Sequence, residues 1–237
     1  MKRVVEQELL DQDMGTPQEI EESLRSVDRV NRWFGGDSLH ARLIGHTIAR
    51  MPQSRKPQIL EVASGRAAVL RRTLHRLNIT AEVTLLDRSA GHLPDPREWP
   101  PQLTPRIQHG DALALPSPDA SVDIVSCCLF LHHLDPPEVA RFLAEATRVA
   151  RLAVVINDLE RSIMHYRLAQ LNSLFDPSRI SRHDGPVSVR RAYTFSELQG
   201  MLAGAGRIFS LVRAPLFRLG AIVWCGEGNA INVPRTL

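Results

Sequence analysis

The sequence predicts an α/β fold in which helices cover both faces of a doubly wound, mostly parallel sheet of seven strands. In the middle of the chain, short β-rich runs alternate with helical apolar patterns, as is typical of parallel strands joined by helical crossovers. Helical patterns occupy the N-terminal region. Two apolar runs around Pro215 close the chain and predict an antiparallel hairpin.

The central region supplies five of the strands and two of the helices. Its strands are predicted at 58–62, 82–86, 106–108, 122–127 and 152–157, and its helices at 66–77 and 136–149. A proline-rich connection runs from Pro94 to Pro105. In such a sheet, ligands collect at the carboxyl ends of the strands.

Two helices are expected before this region. Thr16 as N-cap, Pro17 at the first helical position and Glu19 in a capping box predict a helix over 17–33. Its apolar stripe, which must pack on something, is Ile20, Leu24, Val27, Val30 and Phe34. Gly35-Gly36 ends it, and a second helix begins at Asp37 or Ser38 and runs to about Arg50. Residues 1–16 are expected to be frayed or loosely docked.

The C-terminal third departs from the alternation. A helical pattern from Ile163 to Leu174 leads into an expected basic loop, Arg182-His183-Asp184-Gly185-Pro186. Thr194 then caps a helix over 195–203. The hairpin strands are predicted at 208–214 and 218–225.

Composition excludes several classes of protein. The chain of 237 residues has 29 basic and 26 acidic side chains, a net charge of +3, with 5% aromatics and no dense basic block, which argues against a stacking platform for nucleic acid. The three cysteines fit neither a disulfide framework nor a paired metal spacing; they are Cys127, Cys128 and Cys225. We therefore expect buried thiols in a reducing compartment. Without an apolar leader or a membrane-length apolar run, we expect a cytoplasmic protein.

The turn after the first strand is the predicted ligand site. The strand carries the acid Glu61, and the small residues Ala63, Ser64, Gly65 and Ala67 that follow allow a ligand to approach the backbone. The second strand ends at Asp87, 22 residues after Gly65, about the spacing at which a carboxylate reaches ribose hydroxyls.

These features, with later motifs, resemble the class I S-adenosylmethionine-dependent methyltransferases. The matching stretches are Leu60-Glu61-Val62-Ala63-Ser64-Gly65-Arg66-Ala67, Leu86-Asp87-Arg88-Ser89, Gly110-Asp111-Ala112, residues 115–125 and Leu131-His132-His133-Leu134. The resemblance covers about residues 55–160 and implies a Rossmann-like fold with S-adenosyl-L-methionine as cofactor. Ala63 and Ala67 stand where the family usually has glycine, and residues 149–152 replace its usual Pro-Gly-Gly turn.

The resemblance also implies roles for single residues. Glu61 would orient the methionine part of the cofactor, Asp87 would bind the ribose, and Asp111 with Ala112 would hold the adenine. The alternatives are a helix-capping acid for Glu61, an ion pair with Arg88 for Asp87, and an Asx-turn for Asp111. The expected cofactor-binding set is Glu61, Ala63, Ser64, Gly65, Asp87, Arg88, Asp111, Ala112, Leu129 and Phe130.

Methyl transfer from a sulfonium is an in-line displacement, which needs a base only if the acceptor must lose a proton. The catalytic candidates are His132, His133 and Asp158, which is expected to face the pocket at the end of the fifth strand. His183 with Asp184 is a weaker alternative. Asn31, Arg32 and Trp33 either face the ligand or pack, and Arg179, Arg182, Arg190 and Arg191 either bind an anionic acceptor or are solvated. No metal is expected.

The sequence therefore predicts a methyltransferase that acts on a small, aromatic or amphipathic metabolite, with transfer to oxygen favoured. The alternatives are a degenerate cofactor-binding regulator and an NAD(P)-dependent oxidoreductase. The partner is a small-molecule acceptor rather than a membrane or nucleic acid, and the protein is a monomer or homodimer. A single domain over 1–237 is expected, divided into an N-terminal helical lid (1–52), a cofactor-binding core (53–158), an inserted substrate lid (159–193) and a C-terminal helix with hairpin (194–237).

Overall fold

The computed structural model describes residues 1–225, in which seven strands form one sheet with the order β3-β2-β1-β4-β5-β7-β6. The strands are β1 (Gln58–Val62), β2 (Glu82–Asp87), β3 (Arg106–His109), β4 (Val122–Cys128), β5 (Ala150–Leu159), β6 (Phe209–Ala214) and β7 (Arg218–Trp224). The first five are parallel, and β7 pairs antiparallel with β5 and β6. The predicted fold class is confirmed. Residues 226–237, the end of the expected C-terminal segment, lie outside the described residues.

Seven α-helices accompany the sheet within residues 1–225. They are α1 (Pro17–Trp33), α2 (Gly36–Ile48), α3 (Ala68–Arg76), α4 (Pro136–Val149), α5 (Ile163–Ser173), α6 (Arg179–Arg191) and α7 (Phe195–Gly204). The capping boxes predicted at Thr16 and Thr194 are both present. No helix in this part of the chain has the length and apolar character needed to cross a bilayer.

Each face of the sheet is apolar because helices cover both. Alternate residues of β1 point to opposite sides, so Ile59 joins the cluster formed with α2 and α3, whereas Leu60 joins the cluster formed with α4 and α7. Helix α6 contacts both α1 and α5, and α1 connects this group to α2 and α3 on the sheet.

The expected basic loop at 182–186 is wrong, because these residues belong to α6. Gly185 and Pro186 favour a loop locally, yet Ser178 caps the helix through the Ser181 N–H, and Ile180 and Val187 are buried. The Asp184 carboxylate lies in the same helix and accepts hydrogen bonds from the N–H groups of residues 9 and 10. Tertiary contacts thus override the local helix breakers.

The expectation of a loosely docked N-terminus is also wrong. Residues 1–12, which we call the N-terminal strap, cross α6 and the start of α4. The Arg3 guanidinium donates to the carbonyls of His132 (3.1 Å), Leu134 (2.8 Å) and Arg191 (2.6 Å). Because Arg3 satisfies three backbone acceptors and Glu8 is buried, the strap is part of the folded structure.

The apolar stripe of α1 does not enter the core. The buried residues of this helix are the polar Ser23, Ser26 and Asn31. Val27, Val30 and Phe34 are only partly covered, and they line a cavity described below. This part of the stripe therefore faces the cavity and not the core.

Candidate functional site

A crevice of about 750 Å³ lies at the carboxyl ends of the parallel strands, where the turn after β1 meets the ends of β2 and β4. All ten residues expected to bind the cofactor line this crevice. The turn is built from left-handed residues, with φ of 48° at Ala63, 46° at Gly65 and 48° at Ala67. Because Ala67 is left-handed, α3 begins at Ala68 rather than at residue 66.

Glu61 is the most unusual residue of the crevice. Its side chain is 2% exposed, and its Oε2 atom has no hydrogen-bond partner among the described residues. Burial raises the pKa of Glu61 to about 7, although a hydrogen bond with Ser126 acts in the opposite direction. A buried carboxylate oxygen without a partner is costly, which makes it a natural acceptor for a ligand's amino group.

Asp87 holds the turn in place. Its carboxylate accepts hydrogen bonds from the Gly65 N–H at 2.8 Å and the Ser89 N–H at 2.9 Å. Within residues 1–225 both hydrogen bonds of this carboxylate come from backbone N–H groups, and the exposed Arg88 side chain does not pair with it. Since a carboxylate offers about four lone-pair positions, Asp87 retains capacity for ligand hydroxyls.

Asp111 forms the Asx-turn that was the alternative to a ligand contact. Its Oδ1 accepts a hydrogen bond from the Leu113 N–H at 2.8 Å. The side chain is exposed at the edge of the crevice. The turn fixes the carboxylate beside Ala112 and leaves its other oxygen available to a ligand.

His132 is held by Asp158 at one end of the crevice. The ring Nδ1 lies 2.7 Å from Asp158 Oδ1, and the His132 backbone N–H donates to Asp158 Oδ2 at 3.1 Å. Burial raises the pKa of Asp158, but the His132 charge and hydrogen bond outweigh it and lower the pKa overall. An ionised Asp158 keeps the proton on Nδ1, which leaves Nε2 as the basic atom of the ring.

Asp158 itself does not face the pocket, contrary to expectation. It is buried behind His132, where it also accepts a hydrogen bond from the Leu159 N–H, and it lines neither the crevice nor the cavity. The polar end of β5 is directed into the protein because the histidine and two backbone N–H groups bind the carboxylate there. Asp158 is therefore placed to position His132 rather than to contact a ligand.

Glu8 of the strap joins this group, and sequence reasoning missed it. Its Oε1 lies 3.6 Å from His132 Nε2 and accepts a hydrogen bond from Ser188 Oγ at 2.9 Å. Burial raises the pKa of Glu8 to about 7, against the opposing charge of His133. No motif surrounds Glu8 in the sequence, so only the docked strap reveals its place.

His133 lies beside His132, with 4.1 Å between the ring centroids, and its Nδ1 is 2.8 Å from Asp11 Oδ2. One potential metal-ligating atom from each of three residues lies within 4.8 Å of the other two: these residues are Glu8, His132 and His133. That separation allows the three groups either to exchange a proton or to bind a metal ion.

A second, largely apolar cavity of about 170 Å³ adjoins the crevice. Helices α1, α5 and α6 surround it, together with the turn between β6 and β7. Six residues line both spaces: Glu8, Leu10, Val27, Leu129, Leu159 and Ser188. The cavity and the crevice are therefore contiguous at the ends of β4 and β5.

Two polar side chains in the cavity wall were also missed by sequence reasoning. Arg218 at the start of β7 is fully buried, and its Nε donates to the Phe34 carbonyl at 3.1 Å. The His165 Nδ1 is 2.9 Å from the Glu160 carbonyl oxygen, and the ring stacks on Phe217 at 4.9 Å. Burial lowers the pKa of His165, so its neutral ring donates from Nδ1 and keeps Nε2 as an acceptor.

The weaker candidates fall elsewhere. His183 is paired with Asp184 at 2.7 Å, but His183 lines neither space. Of the elbow residues, Asn31 lines the crevice, whereas Arg32 and Trp33 are exposed.

The four arginines of the basic cluster, Arg179, Arg182, Arg190 and Arg191, all have partners within the protein. Arg179 pairs with Glu19 at 2.9 Å, Arg190 pairs with Glu6 at 2.9 Å, and Arg182 donates to a backbone carbonyl at 3.2 Å. Of the four arginines, only Arg191 lines the crevice, where it donates to the carbonyl of His133 at 2.8 Å. These contacts explain the cluster without a bound anion.

Comparisons with known proteins agree with this architecture. Residues 59–152 match the family model described as a methyltransferase domain. No curated protein matches the sequence significantly. Among solved structures, the plantazolicin methyltransferase BpumL in complex with SAH has a TM-score of 0.65 at 13% identity, over 88% of this chain and 96% of that one.

Two further structures share the fold. A SAM-dependent methyltransferase from Aquifex aeolicus has a TM-score of 0.59 at 15% identity, over 90% of this chain and 100% of its own. An O-methyltransferase family 2 protein from Planctomyces limnophilus, in complex with apigenin, has a TM-score of 0.58 at 17% identity, over 88% of this chain and 62% of its own. At these identities the likeness concerns the fold.

Proposed function

We propose that the chain is an S-adenosylmethionine-dependent methyltransferase and that it methylates an oxygen atom of a small aromatic or amphipathic molecule. The match of residues 59–152 to a methyltransferase domain supports the first part of this proposal. The observation that carries the proposal is the apolar cavity that opens onto the crevice beside Leu129 and Leu159. Such a cavity is suited to an acceptor bound next to the cofactor.

The residues of the crevice fit S-adenosylmethionine. Glu61 Oε2, buried and without a partner among residues 1–225, would accept from the cofactor's amino group. Asp87 would accept from the ribose hydroxyls, and Asp111 and Ala112 would bind the adenine edge. Leu129 and Phe130 would form an apolar wall. When bound, the cofactor supplies a methyl group activated by a positively charged sulfur.

The cavity has the size of a small ring. Its volume of about 170 Å³ is comparable to the roughly 150 Å³ cavity that is known to bind benzene. Apolar walls from α1 and α5 would exclude water from the acceptor, and alignment at roughly 3 Å can supply much of the acceleration. A structural neighbour that is an O-methyltransferase was solved with apigenin, which supports an acceptor of this kind.

For a hydroxyl acceptor, His132 is the proposed base. Asp158 holds the proton on Nδ1, so Nε2 can take the proton that the hydroxyl loses. Glu8 lies 3.6 Å from Nε2 and lines both spaces, so its ionised form would accept that proton from Nε2 and become neutral. With a pKa of about 7, Glu8 changes charge in the pH range where a histidine base works.

The test combines binding with transfer. The protein is incubated with methyl-labelled S-adenosylmethionine and a panel of phenols and quinols, with bacterial RNA as a contrasting substrate, and products are identified by mass spectrometry. We expect label on the oxygen of at least one phenol and none on RNA. Thermal stabilisation by NAD but not by S-adenosylhomocysteine would contradict the proposal. Cofactor binding without transfer to any acceptor would favour a regulatory protein.

A further inference from the structure

A buried arginine without a partner borders the apolar cavity. Arg218 is 0% exposed, and neither its Nη1 nor its Nη2 atom has a hydrogen-bond partner among the described residues. Its one hydrogen bond within residues 1–225 runs from Nε to the Phe34 carbonyl. A guanidinium remains charged in proteins, so burying it without a counter-charge is strongly unfavourable.

The other two buried arginines of residues 1–225, Arg161 and Arg191, both have hydrogen-bond partners for their Nη atoms. Arg161 is almost as buried as Arg218, yet its guanidinium donates to the Ala192 carbonyl at 2.5 Å and pairs with Glu197 at 2.5 Å. A third hydrogen bond reaches the carbonyl of Met1 at 3.1 Å. The unpaired state of Arg218 is therefore specific to the cavity wall.

The acids that line the cavity do not neutralise Arg218. Asp184 accepts hydrogen bonds from two N–H groups of the strap, and Asp176 accepts from Ser178 N–H and the Ser26 hydroxyl. Glu8 is bound to Ser188, and burial favours its neutral form. Within the protein, the carboxylates whose charges act on Arg218 are those of Asp158 and Asp37, and both are already paired. Asp158 binds His132, and Asp37 accepts two hydrogen bonds from Arg72. A carboxylate in direct contact with the Nη groups of Arg218 must therefore come from a bound molecule.

We propose, on the basis of the function proposed above, that the acceptor carries a carboxylate that pairs with the Arg218 guanidinium inside the cavity. The two free Nη groups can donate in parallel to the two oxygens of a carboxylate, a geometry that lysine does not offer. The rest of the wall is mostly apolar, with Phe217, Val30 and Leu168 among its residues, and this part fits a ring or a short alkyl chain. The acceptor class is thus a small amphipathic acid.

His165 completes this subsite. Its ring stacks on Phe217, and its Nδ1–H donates to the Glu160 carbonyl. A neutral imidazole beside the guanidinium adds no second positive charge. The carboxylate therefore depends on Arg218 for its charge partner, which makes the contribution of this one residue measurable.

The test uses matched acids and neutral amides. Binding of 4-hydroxybenzoate and 4-hydroxybenzamide, and of octanoate and octanamide, is measured by calorimetry in the presence of S-adenosylhomocysteine. In the wild-type protein each acid should bind at least about tenfold more tightly than its amide. In Arg218→Met this preference should disappear. Arg182→Met, which removes an exposed arginine outside the cavity, should retain it.

A stability measurement separates a ligand-binding arginine from a structural one. Without any acid, Arg218→Met should unfold at a higher temperature than the wild type, because an unpaired buried charge is removed. A lower unfolding temperature would assign Arg218 a structural role through its hydrogen bond to the Phe34 carbonyl, and together with equal acid and amide affinities in the wild type it would overturn the inference. If the variant does not fold, the wild-type acid and amide affinities decide, and equal affinities would overturn it. If the wild type binds S-adenosylhomocysteine but binds acid and amide equally, only the carboxylate inference fails and the methyltransferase proposal stands. If the wild type does not bind S-adenosylhomocysteine, the proposed function itself is contradicted.

Discussion

Buried acids at the two ends of the parallel sheet differ in their hydrogen-bond partners. Asp123, at the amino end of β4, and Glu61, at the carboxyl end of β1, are both 2% exposed. The Asp123 carboxylate accepts hydrogen bonds from Arg55 at 2.6 Å, Arg151 at 3.0 Å and the Gln58 N–H at 3.0 Å. Glu61 has an oxygen without a partner among the described residues. At the amino end, the protein's own groups bind the buried acid. At the carboxyl end, the buried acid keeps an oxygen that a ligand can bind.

The largest expected effect is on stability at the amino end. Asp123→Asn keeps the shape of the side chain but removes the charge that Arg55 and Arg151 bind, so the free energy of unfolding should fall by about 2–3 kcal/mol. Urea denaturation measures the loss, and calorimetry of the folded fraction should show unchanged affinity for S-adenosylhomocysteine. A stability within about 0.5 kcal/mol of wild type would remove the contrast between the two ends.

The next effect is on catalysis at the carboxyl end. His132→Gln removes the basic Nε2, and turnover should fall at least about tenfold while the affinity for S-adenosylhomocysteine stays the same. His75→Gln, on the exposed side of α3, is the matched control and should retain full turnover. Turnover of His132→Gln equal to that of wild type would mean that approximation alone suffices. Loss of wild-type activity in a chelator would instead assign His132 to a metal ion.

Glu61→Gln tests the ligand side of the comparison directly. The amide no longer pairs with an ammonium group, so the affinity for S-adenosylhomocysteine should fall about tenfold. The Oε2 atom of Glu61 has no hydrogen-bond partner among the described residues, so its replacement removes no contact there. The variant should therefore be at least as stable as the wild type at pH 8. The idea fails if Glu61→Gln destabilises the protein as much as Asp123→Asn and binds the ligand normally.

The next effect concerns the pH dependence of stability. The pKa of Glu8 is raised from 4.5 to about 7, so the folded protein holds this proton over a pH range in which the unfolded chain has lost it. The free energy of unfolding therefore decreases as pH rises from about 4.5 to 7, by up to about 1.4 kcal/mol per pH unit. Glu8→Gln should match wild type near pH 4.5 and exceed it at pH 8. The exposed Glu82→Gln should leave the slope unchanged, and an unchanged slope in Glu8→Gln would contradict the assignment.

The smallest effect concerns the left-handed turn. Ala63 has a φ of 48°, which strains an alanine but not a glycine. Ala63→Gly should therefore be neutral or stabilising by about 0.5 kcal/mol, whereas Ala68→Gly in α3 should cost about 1 kcal/mol. Thermal unfolding of the two variants measures the difference. Equal losses in both would mean that the turn carries no strain.

The crevice was predictable from sequence because each part is local. Each part is a short motif at the end of a strand, and the carboxyl ends of parallel strands meet at one edge of the sheet, so the ten residues assigned from sequence all line one space. The strands were predicted to within two residues at each end for the same reason.

The cavity was not predictable because tertiary contacts build it. Gly185 and Pro186 predicted a loop where α6 forms, and the charged strap gave no sign that Glu8 would be buried. Leu216 and Phe217 both have positive φ in the β6–β7 turn, a conformation that the sequence does not suggest for apolar residues. Arg218 follows that turn, so its place in the cavity wall was hidden as well.

The most direct measurement is a crystal structure of the protein with S-adenosylhomocysteine. We expect the ligand's amino group within hydrogen-bond distance of Glu61 Oε2, its ribose on Asp87, and its sulfur facing the apolar cavity past Leu129. A ligand bound outside the crevice, or a sulfur separated from the cavity by protein side chains, would contradict the account.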